Sequence, residues 1–285
     1  MEADFTNKRV LIVGLGLMGS AFAAGCKKLG FERVWALDRD QKVLDLARKE
    51  GLIDEGVNRP EDLAGEADLV VVCLYLHDAL AFLKDSMPLF KEGAILTDIV
   101  GVKEKMVEEI RPILRPDVDY IPGHPMAGRE KSGALFTSSD IFRGKNYILT
   151  PMPENRKENM DFLIQWIEAL GFGRILETDP AIHDGKIAFT SQLCHVIAAS
   201  MVDMTEDAEV THFEGGSFQD MTRIAMINSA MWAELFVANK KELTAVLDRF
   251  IGSLTFFKNA IDKEEVETIV ERFDIIGRKR EAMGK

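Results

Sequence analysis

The chain has only three cysteines in 285 residues. Cys26, Cys73 and Cys194 each fall in an apolar strand or helix pattern, without the spacing of a metal site. An odd number of thiols and no leader pattern point to reduced cysteines, so neither a disulfide framework nor a bound metal is expected. Long apolar runs are missing too. LVVVCLYL is far too short to cross a bilayer, so no membrane segment is expected. The opening MEADFTNKRV has mixed charge where a leader would run from basic to apolar to small residues, and a cytoplasmic protein is expected. Positive charge is scarce: 35 Lys and Arg stand against 47 Asp and Glu, a formal net charge of −12. A field of that sign repels nucleic acid and anionic membranes, so neither is expected as a partner. Any anionic substrate has to be gripped by local cations. There are only five histidines, and no proline follows Pro180.

What is present alternates between strand and helix patterns as far as residue 178. VLIV (10 to 13) is continuously apolar, as a strand buried on both faces requires, and the helical pattern after it stops at Gly30. RVWALD opens the next unit. Further strands are expected in DLVVVCL, AILTDI, VDYI, NYILT and RILET, with helical patterns over 40–50, 102–114 and 155–170. That order predicts a parallel sheet covered by helices. The proline-free remainder, with stretches such as ELTAVLDRFIGSLTFFKNAI, predicts an all-helical part whose first helix starts at TDPAIHD, capped by Thr178 or Asp179. The expected division is residues 1–178 and 179–285. The Met-, Phe- and Ala-rich helical part offers either a homodimer surface or simply its own core.

The run VLIVGLGLMGSAF places Gly14, Gly16 and Gly19 in G-x-G-x-x-G spacing between a strand and a helix. The first glycine permits a tight turn, the second lets the backbone approach a pyrophosphate, and the third packs helix on strand. Leu15, Leu17 and Met18 complete the turn. Asp38 ends the second strand about 20 residues on, where a carboxylate accepts from ribose hydroxyls and repels a 2′-phosphate. This favours NAD, while the adjacent Arg39 leaves NADP open. The fold class expected is α/β: a Rossmann-type, mostly parallel sheet domain followed by an all-helical C-terminal domain.

A dehydrogenase needs a base for the hydroxyl proton, and histidine accepts one near neutrality. His124 follows the VDYI strand at the carboxyl edge of the sheet, held between Gly123 and Pro125 in GHPMAGREKSG. That segment, with GLGLMGS, HDGKIAFTSQLCH and FQDMTRIA, resembles the prephenate and arogenate dehydrogenases of tyrosine biosynthesis, from residue 8 to about residue 240 and in the family's order. The resemblance implies oxidation of the ring hydroxyl of prephenate or arogenate by a nicotinamide cofactor with loss of carbon dioxide, driven by aromatisation. It implies that His124 takes the hydroxyl proton, that Arg223 binds a substrate carboxylate, and that His195 is the second histidine of the site, binding or orienting substrate. Ser191 lies one turn before His195. Arg129 stands where a threonine or serine is common and bears on how substrate is gripped.

Simpler roles stand beside these. His195 also fits a satisfied, partly buried side chain, Arg223 an interdomain ion pair, and His183 in AIHDGK local capping chemistry. One departure matters: many members read Asp-x-Gly-Ser-Val-Lys where this chain has DIVGVK, so Gly101 replaces a serine that bonds the histidine. An ordered water, a backbone carbonyl or a side chain from another segment is then expected to hold the far nitrogen of His124. Two rivals remain. A β-hydroxyacid dehydrogenase would need Lys258 as its catalytic lysine, and a non-catalytic NAD sensor would explain the missing serine.

Overall fold

The computed structural model describes residues 4–127 and 138–284, so Arg129 lies outside the described residues. Strand β1 (Arg9–Val13) is flanked by β2 (Arg33–Leu37) and, through helix α1 (Leu17–Lys28), begins the first β-α-β unit. Helix α2 (Gln41–Lys49) leads to β3 (Glu55–Val57), and β4 (Leu69–Val72), α3 (Leu76–Ser86), β5 (Ile95–Asp98), α4 (Glu104–Ile110) and β6 (Asp119–Tyr120) follow. These strands form one all-parallel sheet in the order β3-β2-β1-β4-β5-β6. The order reverses between β1 and β4, the place where open α/β sheets leave a crevice at their carboxyl edge.

Side-chain alternation along β1 builds two cores. Val10 and Ile12 pack on one face with Phe22 and Trp166, while Leu11 and Val13 face Val70, Leu83 and Met106 on the other. These four apolar residues of β1 are fully buried, each contributing about 1.5–3 kcal/mol. That double burial is why VLIV is continuous rather than alternating.

The expected single sheet is two sheets. After β6 the chain leaves the main sheet at Pro122, and β7 (Gly123–Pro125) pairs antiparallel with β8 (Asn146–Leu149). Beyond α5 (Lys157–Ala169), β9 (Arg174–Glu177) adds to β8 in parallel. Proline cannot donate to a ladder, which confines β7 to the edge of this small sheet. His124 therefore sits on a short strand of its own, opposite Ile148.

Asp179 caps the first helix of the C-terminal part, α6 (Pro180–Ile187), by accepting from the amides of Ala181 and Ile182, with Pro180 in the first turn. A five-residue π-turn, Ala188–Gln192, joins it to α7 (Leu193–Asp203). Helices α8 (Gly216–Thr222), α9 (Ser229–Ala238), α10 (Lys240–Asp262) and α11 (Val266–Ala282) complete the chain. The buried core here is small, built on Ala188, Leu193 and Val246, and α11 buries none of its residues. No helix among the described residues is long and apolar enough to cross a membrane.

Candidate active site

The glycine-rich turn closes over the carboxyl end of β1. Gly14 has φ +89°, and a Cβ there would lie 2.8 Å from the Cys73 carbonyl oxygen. At Gly19 a Cβ would come within 1.9 Å of the Gly14 carbonyl oxygen. At Gly16 it would meet nothing within 4 Å, so the space above the middle glycine is open. Helix α1 starts there with no side-chain cap and no acidic residue in its first turn, leaving its N–H groups and positive dipole end for an anion. Asp38 accepts from the amides of Leu15 at 2.8 Å and Asp40 at 2.9 Å. A carboxylate has about four acceptor positions, so two remain for ribose hydroxyls. Leu15 contributes backbone only, since its side chain is buried in the core; Met18 packs against that core, and Arg39 is exposed beside Asp38. An open cradle, an uncapped helix and an acid at the end of β2 fit a dinucleotide.

His124 lies across the sheet edge. Its Nδ1 is 2.9 Å from Nε2 of His183, the rings meeting edge to face at 64°. Nδ1 of His183 is 2.6 Å from Oδ1 of Asp184. The Asp184 carboxylate also accepts from the amides of Lys103 at 2.8 Å and Glu104 at 3.0 Å, holding the start of α4. On the other side of the imidazole, a Cβ at Gly101 would lie 3.7 Å from Nε2 and 3.5 Å from a Leu235 methyl. Beneath these runs a fully buried ion pair, Lys103 Nζ to Asp98 Oδ1 at 2.5 Å. Asp98 also accepts from the Tyr120 hydroxyl at 2.7 Å and the Val100 amide at 2.8 Å. Extra hydrogen bonds of this kind are what a buried ion pair requires to offset desolvation. Burial, then His183 and the Lys103 charge, hold His124 well below the usual imidazole range. Burial also lowers His183, against the pull of Asp184. Both rings are neutral at pH 7.

The helical part supplies the other wall. His195 on α7 has Nδ1 3.0 Å from the Ser191 carbonyl, and its ring stacks on Trp232 with centroids 3.7 Å apart. Trp232 and Leu235 lie three residues apart on α9, so one helix face touches both His195 and the Gly101 wall. The π-turn carries Ser191, and such bulges recur at functional sites. Asn239 ties this wall to the first, donating to the Asp184 carbonyl at 3.0 Å and to Gln192 Oε1 at 2.8 Å. Arg223 is exposed on a short 3₁₀ turn, Arg223–Ala225, that packs against α7. Helix α9 is in turn fixed to α3 by His77 with Glu234 at 3.1 Å and by Asn228 with the Tyr75 hydroxyl at 2.9 Å.

Comparison with known proteins gives this arrangement a family. Residues 22–176 match the family described as prephenate dehydrogenase, nucleotide-binding domain, and residues 179–275 match prephenate dehydrogenase, dimerization domain. The chain belongs to the prephenate dehydrogenase family. It is 31% identical to the cyclohexadienyl dehydrogenase of Zymomonas mobilis over 93% of this chain and 92% of that protein. It is 28% identical to a prephenate dehydrogenase of Bacillus subtilis over 93% of this chain and 73% of that one. Among solved structures, the prephenate dehydrogenase of Aquifex aeolicus in complex with hydroxyphenyl propionate and NAD+ superimposes with a TM-score of 0.87 at 30% identity, covering 97% of this chain and 98% of that one. The protein is thus an NAD-binding oxidoreductase of the prephenate dehydrogenase family.

Membership of the prephenate dehydrogenase family disposes of the rival with a catalytic lysine, and the geometry agrees. Lys258 is exposed on α10 and pairs with Asp262 at 2.6 Å. Two of the cysteines are poor nucleophiles: burial pushes Cys26 up to about 12 and Cys73 higher still. Among the described residues, no group of three metal-ligating side chains is placed to hold a metal. His183, read locally as capping chemistry, instead has its ring against His124. Asp184, Trp232 and Leu235 join the site only through the fold. The available signal was HDGK itself, a His-Asp pair at a helix start already capped by Asp179.

Proposed function

We propose that the protein is an NAD-dependent prephenate dehydrogenase that converts prephenate to 4-hydroxyphenylpyruvate in tyrosine synthesis, with His124 as the base. The observation that carries this reading is the placement of a neutral imidazole whose Nδ1 is engaged by His183 while its Nε2 faces the gap at Gly101. A nicotinamide cofactor held by Gly14, Gly16, Gly19 and Asp38 supplies the hydride acceptor. His124 accepts the ring hydroxyl proton at Nε2, and the new carbonyl draws the electron pair released as the ring carboxylate leaves as carbon dioxide. Aromatisation returns the pair to that oxygen, which takes the proton back from His124. No net proton is lost in the cycle.

Arg223 is assigned to a substrate carboxylate, because a chain of net charge −12 needs a local planar donor for a dianion. His195 and Ser191 are assigned to the far end of the substrate, and Arg129 to its grip. The division at residues 178 and 179, work in the cytoplasm, and pairing of two copies through the helical part belong to the same reading. For the pairing, the apolar side chains Val266, Val270 and Phe273 stand more than half exposed on α11.

The experiment is turnover of prephenate and of arogenate with NAD and with NADP, followed by the absorbance of the reduced nicotinamide. Prephenate with NAD is the expected fast pair. Preference for arogenate would move the assignment to the amino substrate. No turnover of either substrate with either cofactor would contradict it.

A further inference from the structure

We infer that His183 and Asp184 are positioning residues that hold His124 as the tautomer with its proton on Nδ1 and its lone pair on Nε2. This rests on the reading of His124 as the base. A carboxylate only accepts hydrogen bonds, so the 2.6 Å contact with Asp184 Oδ1 puts the proton of His183 on Nδ1. A neutral His183 then has a bare Nε2. That nitrogen lies 2.9 Å from Nδ1 of His124, which must therefore be the donor. The lone pair of His124 is left on Nε2, the nitrogen beside Gly101.

Asp184 cannot turn away from this task, because the amides of Lys103 and Glu104 also bind its two oxygens. Proton uptake at Nε2 leaves an imidazolium whose N–H points down a chain ending in a carboxylate, the arrangement that stabilises a transient charge. The Lys103 ammonium opposes that charge but is itself neutralised by Asp98. His124 stands on β7, whereas His183 and Asp184 stand on α6. The base acquires its working tautomer only where the helical part is docked on the sheet. The serine missing at position 101 lies on the Nε2 side of the ring, so its loss leaves this positioning intact.

His183→Leu removes the acceptor at similar bulk, and His183→Gln keeps a carbonyl oxygen at comparable reach. We expect the leucine variant to lose about 100-fold or more in kcat with NAD affinity unchanged, and the glutamine variant to recover at least about tenfold of that loss. Nitrogen-15 NMR of the histidines in the unmodified protein is expected to show Nδ1 of His124 protonated and Nε2 bare at pH 7. A wild-type spectrum with the proton on Nε2, or a leucine variant that keeps its kcat while His124→Asn loses it, would overturn the positioning role and leave the base assignment standing. Activity retained in His124→Asn would overturn the base assignment, and this inference with it.

Discussion

Leu15 and Asp38 are joined by a 2.8 Å hydrogen bond from an amide of the glycine-rich turn to the carboxylate that follows β2. One side chain thus shapes the cofactor turn and presents acceptors to a ribose. Asp38→Ser is expected to narrow the preference for NAD over NADP, because the repulsion of a 2′-phosphate is gone while Arg39 remains. It should also cost about 1–3 kcal/mol of stability if the Leu15 amide is left unpaired. Cofactor kinetics and thermal melting of the one variant check both effects. Equal use of the two cofactors by the unmodified protein would remove the role given to Asp38.

Gly101→Ser is expected to fold normally, since a Cβ there makes only ordinary contacts of 3.5–3.7 Å with Leu235 and His124. A serine hydroxyl donating to Nε2 stabilises the neutral ring and should move the acid limb of the kcat/KM profile to lower pH. A profile unmoved or shifted upward would mean that Nε2 does not face this gap.

His124 and His183 are both lowered below an ordinary imidazole by burial. Their unfolded values are near 6.5, so below that pH the unfolded chain binds protons that the folded protein refuses. Stability present above about pH 6.5 should therefore fall as the pH drops towards 5, by up to about 1.4 kcal/mol per pH unit for each ring. Denaturant melts across pH 5 to 7 test this. The slope should be shallower in His183→Gln, and equal slopes would show that His183 is not held neutral.

Arg223→Ala is expected to raise KM for prephenate by roughly ten- to hundredfold, the value of a charge-assisted contact, with kcat much less affected because the contact persists from ground to transition state. Steady-state kinetics decide it. An unchanged KM would make Arg223 structural.

Gly14, Gly16, Gly19 and Asp38 were legible because their chemistry is local: a turn, a helix start and a strand end in fixed register. Asp179 and Pro180 were legible for the same reason. The second sheet was not, because alternation marks a strand without saying which sheet it joins, and β7 is three residues holding a glycine and a proline. His183 was hidden by its neighbours, since a histidine one turn past a helix cap has a sufficient local explanation. Its partner is 59 residues away in the chain. Lys103 was hidden by its type, lysine being among the residues least often fully buried. Asp98, its partner, lies five residues before it in DIVGVK, and no local pattern there marks the pair as buried.

Single-turnover oxidation of prephenate by His124→Asn, beside the variant's NAD affinity, tests most directly whether His124 is the general base. The expected result is a fall of roughly two or more orders of magnitude in the chemical step, with cofactor binding nearly unchanged. A variant that keeps most of its rate would contradict it.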